Sequence, residues 1–393
     1  MDRSDDITLP VETPWLNDAD AQAVCRALQA HGDRVYFVGG CVRDALLGLG
    51  GADVDLSTAL LPQEVTNLAE EASLKVAPTG IDHGTVTVVS GGKGFEVTTF
   101  RRDVETDGRR AVVSFSKDIA EDARRRDFTM NALYATPDGV VVDPLGGVQD
   151  CLDRRIRFIE NADERIREDF LRILRYFRFH AWYAQPDAGF DAETLAAIAQ
   201  NTSGLETLSV ERIGTEMLKL LSAPDPAPAV AAMRQTGCLQ YILPGADDRL
   251  LGPVVHLEAQ LGASPDPILR LAALGGEAPA ERWRLSRANA RRLADFVDAG
   301  YGETPLSEVA YRKGETVARG AAVLRAALSG GAPSDEELKL FRSAAQARFP
   351  VKSADLRPAF EGPALGMKLA ELEARWIASD FTLTREELLQ EIP

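Results

Sequence analysis

The sequence has little cysteine, and its cysteines are far apart. Cys25, Cys41, Cys151 and Cys238 are the four in 393 residues, and they include no CxxC pair. This spacing argues against a zinc ribbon and a disulfide framework, and it favours a reducing compartment. No apolar run approaches the roughly 18 residues of a membrane span, and the acidic first residues have no apolar signal core. We therefore expect a cytoplasmic protein without a membrane segment.

Several common catalytic patterns are also missing. No GxxxxGK[ST] phosphate-binding loop and no strand-linked GxGxxG occur, so the two commonest nucleotide-binding fingerprints are absent. The four histidines are scattered without an HExxH motif, and no spacing suggests a Ser-His-Asp or Cys-His set. Any enzymatic function must therefore rest on other residues.

Positive charge is scarce in the chain as a whole. The formal net charge is −16, which by itself argues against a nucleic-acid partner. Two stretches are locally basic: residues 101–126 and residues 153–179 each hold eight Arg or Lys against six Asp or Glu. An RNA partner would therefore bind a focused patch, and the acidic remainder would repel non-specific contacts.

The first 150 residues have the pattern of a mixed α/β domain. Apolar and β-branched runs predict strands over 35–40 and 53–57, and glycine-containing breaks predict hairpins over 84–100 and 133–142. The polar segment 104–110 is interpreted as a mobile loop.

Helices are predicted over 17–31 and 62–73. From Ala162 onward the apolar residues follow helical spacing throughout, and clusters of β-branched residues disappear. Breaks that contain Pro or Gly separate these later helices. The predicted regions are an α/β head over 1–150 and helical regions over 151–225 and 226–393.

A glycine turn follows the first predicted strand. Gly39 and Gly40 come directly after Val35–Val38, and Arg43 lies on the helix that follows. Glycine allows a close backbone approach or a positive φ, and an arginine can bind phosphate oxygens with two donors. This segment is therefore a candidate nucleotide-binding turn.

Two carboxylates follow this segment, the first of them nine residues after Asp44. Asp53 and Asp55 are one residue apart, so on a strand both side chains project from the same face. Mg²⁺ prefers one or two carboxylates together with substrate phosphates, and such metals can activate a 3′-hydroxyl and stabilise a leaving pyrophosphate. Glu96, on a later strand, is either a third catalytic carboxylate or an exposed strand residue.

Arg126 and Asp127 begin the next candidate site. A carboxylate beside arginine can accept a hydrogen bond from ribose while the arginine binds phosphate. Asn131 lies four residues beyond Asp127, which on a helix is one turn away on the same face. The alternative interpretation is the charged start of a helix.

A predicted helix over 168–179 carries regularly spaced charges. Asp169, Arg172, Arg175 and Arg178 are three residues apart, and neighbours at this spacing lie within about 60° of one another. Asp169 and Arg172 together present acceptors and donors to the edge of a base, and Arg175 and Arg178 can reach phosphate. The alternative is a solvated charged stripe.

These motifs, in this order, resemble the class II tRNA nucleotidyltransferase and bacterial poly(A) polymerase family of the polymerase β-like superfamily. The resemblance covers roughly residues 35–222. Its motifs are FVGGCVRDALLG, DVDLST, HGTVTV, FEVTTFRRDVETDGR, RRDFTMNALY, DPLGGVQD, REDFLRILRYFRF and SVERIGTEMLKLL. One departure is Phe170, where the family often has proline.

The resemblance implies template-independent addition of CCA to the 3′ end of tRNA from CTP and ATP with Mg²⁺. It implies metal ligands at Asp53 and Asp55 and a flexible loop over 104–113 that is linked to the change from C to A. It further implies a polymerase β-like head followed by a helical neck, body and tail that bind the acceptor arm. The residues implied in nucleotide contact are Gly40, Arg43, Arg126, Asp127, Asp169, Arg172, Arg175 and Arg178.

Other functions share parts of this pattern. A poly(A) polymerase, or an enzyme that adds only A or only CC, has the same head motifs. A small-molecule nucleotidyltransferase would share the glycine turn and the paired aspartates. It would not need the long helical region or the arginine ladder formed by Arg172, Arg175 and Arg178. A non-catalytic RNA-binding protein would have no use for a metal-binding pair.

Overall fold

The computed structural model describes residues 7–32, 34–51, 53–78, 80–81, 84–107, 110–185, 188–357 and 359–390; of residues 103–107 and 110–113 it describes only the backbone. Contacts divide the chain into two compact units. The first unit comprises Met1–Ser209 and Gln235–Tyr241, and the second comprises Val210–Arg234 and Ile242–Pro393.

The first unit contains a mixed sheet. Its strands are β1 Val35–Val38, β2 Asp55–Thr58, β3 Lys75–Ala77, β4 Thr85–Ser90, β5 Lys93–Thr99, β8 Tyr134–Ala135 and β9 Val141–Val142, and a separate ribbon is formed by β6 Arg101–Asp107 and β7 Arg110–Phe115. Across the described strands, the sheet order is β3-β4-β5-β2-β1-β8-β9. β2 and β5 run parallel, and the other neighbours run antiparallel.

The helices of this unit are α1 Ala19–Leu28, α2 Gly40–Leu46, α3 Pro62–Glu71, α4 Ile119–Arg124, α5 Val148–Leu152, α6 Ala162–Glu168, α7 Leu171–Tyr183 and α8 Ala192–Asn201. α1 contacts β1, β4 and β5, and α2 contacts β1. All four residues of β1 are buried, because apolar side chains alternate to both faces of the strand and each face is covered. The strands and the hairpin at Gly91-Gly92 confirm the predicted mixed α/β pattern.

The strand that carries the carboxylates begins later than predicted. β2 starts at Asp55, and Asp53 lies in the segment before it, so the prediction that both aspartates lie on one strand is wrong. The sheet explains the difference, because β2 pairs with β5 from Asp55 and with β1 from Leu56. Asp53 therefore precedes the first strand pairing of this segment.

The polar segment predicted as a loop is part of the β6–β7 ribbon. The two strands pair antiparallel with a shift in register between Asp103 and Glu105. The loop prediction is wrong for the described residues, because Asp107-Gly108 is a hairpin turn signal that outweighs the polarity of the segment. Gly108, Arg109 and His83 of the HGTVTV motif lie outside the described residues.

The predicted helix over 168–179 is interrupted near its start. α6 ends at Glu168, the backbone of the next residue, Asp169, is extended (φ −153°, ψ 106°), and α7 begins after Phe170. The Asp169 carboxylate accepts a hydrogen bond from the Leu171 amide at 3.1 Å, which satisfies one of the free amides at the start of α7. Arg172, Arg175 and Arg178 share α7, whereas Asp169 lies at the break.

The rest of the chain is helical. Its helices are α9 Val210–Leu221, α10 Ala227–Gln235, α11 Cys238–Ile242, α12 Leu251–Gln260, α13 Pro267–Leu274, α14 Pro279–Arg282, α15 Arg287–Tyr301, α16 Leu306–Lys313, α17 Glu315–Ser329, α18 Asp335–Gln346, α19 Gly362–Ala378 and α20 Arg385–Leu389. An aromatic cluster around Trp376, Tyr311, Phe349 and Phe381 packs α16 and α19 together with the segments around them.

Within the described residues, no helix combines the length and apolar character that crossing a membrane requires. All four cysteines are buried free thiols.

Candidate active site

The paired aspartates and Glu96 line one cavity of the first unit. Asp55 and Glu96 are register partners on the parallel strands β2 and β5, and Asp53 lies just before β2. The cavity has a volume of about 580 Å³, and its other walls come from Trp15, Asp18, Ala21, Val54, Lys93, Gly94 and Phe95. Strand pairing therefore brings together three carboxylates from two distant parts of the sequence.

This carboxylate group has unbalanced negative charge. Part of the Asp55 surface reaches solvent, but partial removal from water raises the pKa of Asp55 to about 6. The negative charges of Glu96 and Asp53 also raise this pKa, and the positive charge of Arg126 lowers it. Among the described side chains, no Lys or Arg forms an ion pair with any of the three carboxylates. A bound cation would relieve this repulsion.

The donor set fits a divalent metal that also binds its substrate. No group of three His, Cys, Asp or Glu side chains in the described part of the chain is arranged to hold a metal alone. Mg²⁺ is usually bound by one or two carboxylates, with substrate phosphates and waters completing its octahedron. Asp53 and Asp55 supply such a pair of hard oxygen ligands.

Gly39 is required at the turn before α2 for two reasons. Its φ is +75°, a region that L-residues rarely adopt. A Cβ at this position would also lie 3.2 Å from Nη1 of Arg126. The turn therefore holds the backbone directly against the Arg126 guanidinium, and Gly40 then opens α2.

Arg126 is fixed by a buried acceptor group. Its Nη2 donates to Asp122 and its Nε donates to the Tyr134 hydroxyl, both at 3.3 Å. The Tyr134 hydroxyl donates in turn to Asp122 at 2.7 Å. Asp122 is fully buried; burial by itself favours its neutral form, but the neighbouring arginines hold its pKa below the usual value.

Arg43 lies at the centre of a second buried network. Only 5% of its surface is exposed. Its Nε donates to Asp44 at 2.8 Å, Nη1 to Asn131 at 2.6 Å and Nη2 to the Tyr183 hydroxyl at 2.7 Å. Its guanidinium also lies 4.0 Å from the centre of the Tyr183 ring. Three of its five N–H donors are therefore committed within the protein.

Asp127 continues this network towards α7. Its Oδ1 accepts from Asn131 at 3.0 Å and from the Phe128 amide at 2.9 Å, and its Oδ2 accepts from Arg175 Nε at 2.6 Å. Burial by itself favours the neutral acid, but the charge of Arg175 and these hydrogen bonds hold the pKa of Asp127 below its usual value. Asn131 lies near Asp127 as predicted, but through a 3₁₀ turn over Thr129–Asn131 instead of an α-helix.

Arg172 is held at the start of α7 by neighbours that the sequence did not single out. It forms an ion pair with Glu168 and donates to the backbone oxygens of Arg165 and Arg125 at 2.9 and 3.0 Å. Glu168 also pairs with Arg165 at 2.6 Å. Arg165 donates to the Arg124 and Arg126 carbonyls. These hydrogen bonds hold the backbone segment that precedes Asp127 against α6 and α7.

The structure thus groups the predicted residues into three sets. Asp53, Asp55 and Glu96 line the cavity; Arg43, Asp127, Asn131 and Arg175 form one network; and Arg172 lies beside Asp169 at the helix break. Arg178 is on α7 with its guanidinium 4.6 Å from the Phe179 ring.

Sequence reasoning missed Tyr183, although its spacing carried a signal. Arg175, Phe179 and Tyr183 are four residues apart and therefore share one face of a helix. The Phe179 and Tyr183 rings lie 5.3 Å apart on that face. A tyrosine that continues the face of a predicted substrate-binding arginine is a candidate partner for buried polar groups.

Comparisons with known proteins agree with this architecture. Residues 35–157 match the family model described as the poly A polymerase head domain, and residues 189–250 match the one described as a probable RNA and SrmB-binding site of polymerase A. Nucleotidyltransferases of this family generally use a divalent metal.

Two relatives and a solved structure give more specific matches. A CCA tRNA nucleotidyltransferase 1, mitochondrial, from Danio rerio is 33% identical over 90% of this chain and 85% of its own length. A CCA-adding enzyme from Geobacillus kaustophilus is 43% identical over 57% of this chain and 54% of its own length. The crystal structure of the Bacillus stearothermophilus CCA-adding enzyme in complex with CTP superposes with a TM-score of 0.73 and 29% identity, covering 93% of this chain and 94% of that one. These matches confirm the predicted polymerase β-like head with a mixed sheet and a mostly helical remainder, and they show that the chain belongs to the CCA tRNA nucleotidyltransferase family.

Proposed function

We propose that this protein adds C, C and A in turn to the 3′ end of tRNA, using CTP and ATP and releasing pyrophosphate, with Mg²⁺ as its cofactor. The observation that carries the proposal is that one unit contains both the carboxylate cavity and the Arg43–Asp127–Arg175 network. The cavity has the ligands of a metal-dependent transferase, and the network has fixed donors for a nucleotide. The relatives that match most of the chain are named for CCA addition.

The carboxylate cavity supplies the catalytic centre in this proposal. Asp53 and Asp55 hold the metal, and Glu96 is the third carboxylate of the same cavity. Bound Mg²⁺ supplies Lewis-acid stabilisation of the attacking oxygen and of the reacting phosphate. The 3′-hydroxyl of the RNA loses its proton to solvent, and its oxygen forms a bond to the α-phosphorus of the nucleotide. The bond from that phosphorus to the α,β-bridging oxygen breaks, and pyrophosphate leaves with the bridging oxygen.

The nucleotide is held by the glycine turn and the buried networks. Gly39 and Gly40 allow the triphosphate to approach the backbone, and Arg43 still has two N–H donors for phosphate oxygens. Arg126 and Arg178 supply further positive charge. Asp127 already accepts from Arg175, Asn131 and the Phe128 amide, so a ribose hydroxyl would have to replace one of these donors.

Base selection is assigned to Asp169 and Arg172. The carboxylate and the guanidinium lie at the start of α7 and present complementary acceptors and donors to one base edge. Arg165 and Glu168 fix the guanidinium of Arg172, so the base meets a rigid template. We assign base recognition to the region 151–225 and tRNA binding to 226–393.

A cytoplasmic location is part of the proposal. The four buried free thiols support a reducing compartment. Fractionation of the cells that express the protein, followed by detection of the chain, tests the location.

End-sequencing of a tRNA transcript that lacks CCA tests the activity. The transcript is incubated with enzyme, Mg²⁺ and CTP, ATP or both. CCA addition that stops after A is the expected result. A long A tail from ATP alone would instead identify a poly(A) polymerase, and CC alone or A alone would identify an enzyme with part of the activity.

A further inference from the structure

We propose that Trp15 is the surface on which the 3′-terminal base of the RNA stacks while its 3′-hydroxyl lies at the carboxylates. This inference rests on the proposed function, because it concerns the RNA substrate of that same site. It adds a substrate-binding residue outside the motifs that carry the family resemblance.

Trp15 lies on the wall of the catalytic cavity. It lines that cavity together with Asp53, Asp55 and Glu96. It also lines a second, neighbouring cavity of about 560 Å³ between the segment 10–18 and α2. The indole therefore lies at the edge of the carboxylate site with open space beside it.

The position of the ring is fixed by the head. Trp15 packs against Phe37 of β1, with ring centres 4.5 Å apart, and Phe37 is fully buried. Gln22 of α1 donates to the carbonyls of Leu16 and Pro137, both at 2.8 Å, and thereby ties the segment after Trp15 to the hairpin β8–β9. A fixed aromatic ring binds a base without a large ordering cost.

The chemistry of the cavity wall suits a base better than a phosphate. Lys93 is paired with Asp18 and Asp20, so the cation of this wall is already neutralised. Phe95, the other aromatic residue described on the wall, is only 5% exposed. Trp15 is thus the aromatic surface available to a ligand in this part of the molecule.

Stacking also suits a substrate whose end changes. Three successive additions present first the original terminal base of the tRNA and then cytosine twice to one site. Stacking on an aromatic ring tolerates any base, because every base has a π-face. The cavity volume of about 580 Å³ falls within the range of roughly 300–1,000 Å³ for sites that enclose small ligands.

A comparison of two RNA substrates tests the proposal. One is a tRNA transcript that ends before CCA, and the other is the same RNA with an abasic 3′-terminal ribose. Addition of C is measured at varied RNA with saturating CTP, and at varied CTP with saturating RNA, for the wild type, Trp15→Ala and Trp15→Phe. Trp182→Ala is the matched control, because Trp182 is 40% exposed and lies on α7 away from the carboxylate cavity.

We expect Trp15→Ala to lower kcat/KM for the normal RNA by about tenfold, the effect of losing one stacked base. Trp15→Phe should retain most of the activity, and the KM for CTP should not change in either variant. With abasic RNA the wild type should show a similar loss, and Trp15→Ala should cause no further loss.

Two results would overturn the stacking proposal. One is an unchanged kcat/KM in Trp15→Ala, and the other is an equal loss on normal and abasic RNA, which would indicate a structural role. Trp15→Phe preserves the packing against Phe37, so the comparison of substrates can be repeated with this variant if the alanine variant fails to fold. Failure of the wild type to add any nucleotide would contradict the proposed function instead.

Discussion

At the residue scale, the carboxylates and arginines of the site differ in how many ion pairs and hydrogen bonds they form within the protein. Asp53 is exposed and has no ion pair with a described side chain, whereas Arg172 and Arg43 are bound by several protein groups. A substitution at Asp53 should therefore affect the reaction alone. Substitutions at the arginines should affect the reaction and the local structure together.

Asp53→Ala should lower the rate of nucleotide addition by at least about 10²-fold, the effect of removing one electrostatic stabiliser of a transition state. The free energy of unfolding should change by less than about 0.5 kcal/mol, as for most exposed positions. Single-turnover addition of C and thermal unfolding measure the two effects. Asp138→Ala is the control, because Asp138 is an exposed carboxylate elsewhere in the head. Substantial Mg²⁺-dependent turnover in Asp53→Ala would refute the metal-ligand assignment.

Arg172→Ala should reduce discrimination between nucleotides more than it reduces metal dependence. A polar site that loses its hydrogen-bonding partner loses much of its selectivity, so we expect the ratio of kcat/KM for CTP over UTP to fall at least about tenfold. The same ratio is measured for Arg167→Ala, whose side chain is 64% exposed on α6. An unchanged ratio in Arg172→Ala would contradict its role in base selection.

At the element scale, α2 and α7 are joined by the hydrogen bond between Arg43 and Tyr183. These residues are separated by 140 positions in the sequence, yet they form a partly buried hydrogen bond of 2.7 Å. A hydrogen bond to a charged group contributes about 1.5–3 kcal/mol. The contact therefore helps to set the position of the Arg43 guanidinium relative to α7.

Tyr183→Phe keeps the ring over the guanidinium and removes only the hydroxyl acceptor. We expect the KM for CTP to rise about fivefold or more, because an Arg43 donor loses its protein partner, while the KM for tRNA changes little. Initial rates at varied CTP and varied tRNA separate the two constants. Tyr241→Phe, at a tyrosine that is 42% exposed, is the control, and equal rises in both constants would indicate a general structural defect instead.

At the scale of the whole molecule, the second unit has its own buried polar centre. Arg270 is 1% exposed and donates to Glu258 at 2.7 Å and to the carbonyls at the end of α9. Removing one partner of such a buried pair leaves an uncompensated charge and costs about 3–5 kcal/mol. All of these contacts lie within the second unit.

Arg270→Ala should therefore lower the free energy of unfolding by about 3–5 kcal/mol, while CTP binding by the first unit is retained below the unfolding transition. Denaturant titration and equilibrium CTP binding are the two measurements. Arg249→Ala is the matched control, since that arginine is 85% exposed and pairs with Asp247. Loss of CTP affinity at temperatures where the variant is folded would contradict the independence of the two sites.

The sequence by itself determined the local parts of the site. The order of glycine turn, paired aspartates and arginine ladder is readable because each motif is short and its spacing is that of one strand, turn or helix. The helical character of the chain after Ala162 and the hairpin at Gly91-Gly92 follow from periodicity and turn residues in the same way. Where local signals competed, as in the β6–β7 ribbon and at Asp169, the prediction of the element was wrong.

The tertiary structure decided which distant residues meet. Glu96 lies beside Asp55 because β5 pairs in parallel with β2, and nothing local specifies which strands become neighbours in a sheet. Tyr183 reaches Arg43, and Trp15 reaches the carboxylate cavity, only through the packing of α7 and of the segment before α1 on the head. Strand order and helix packing depend on the burial of whole faces, so the partners of a catalytic residue become visible only when the chain is folded.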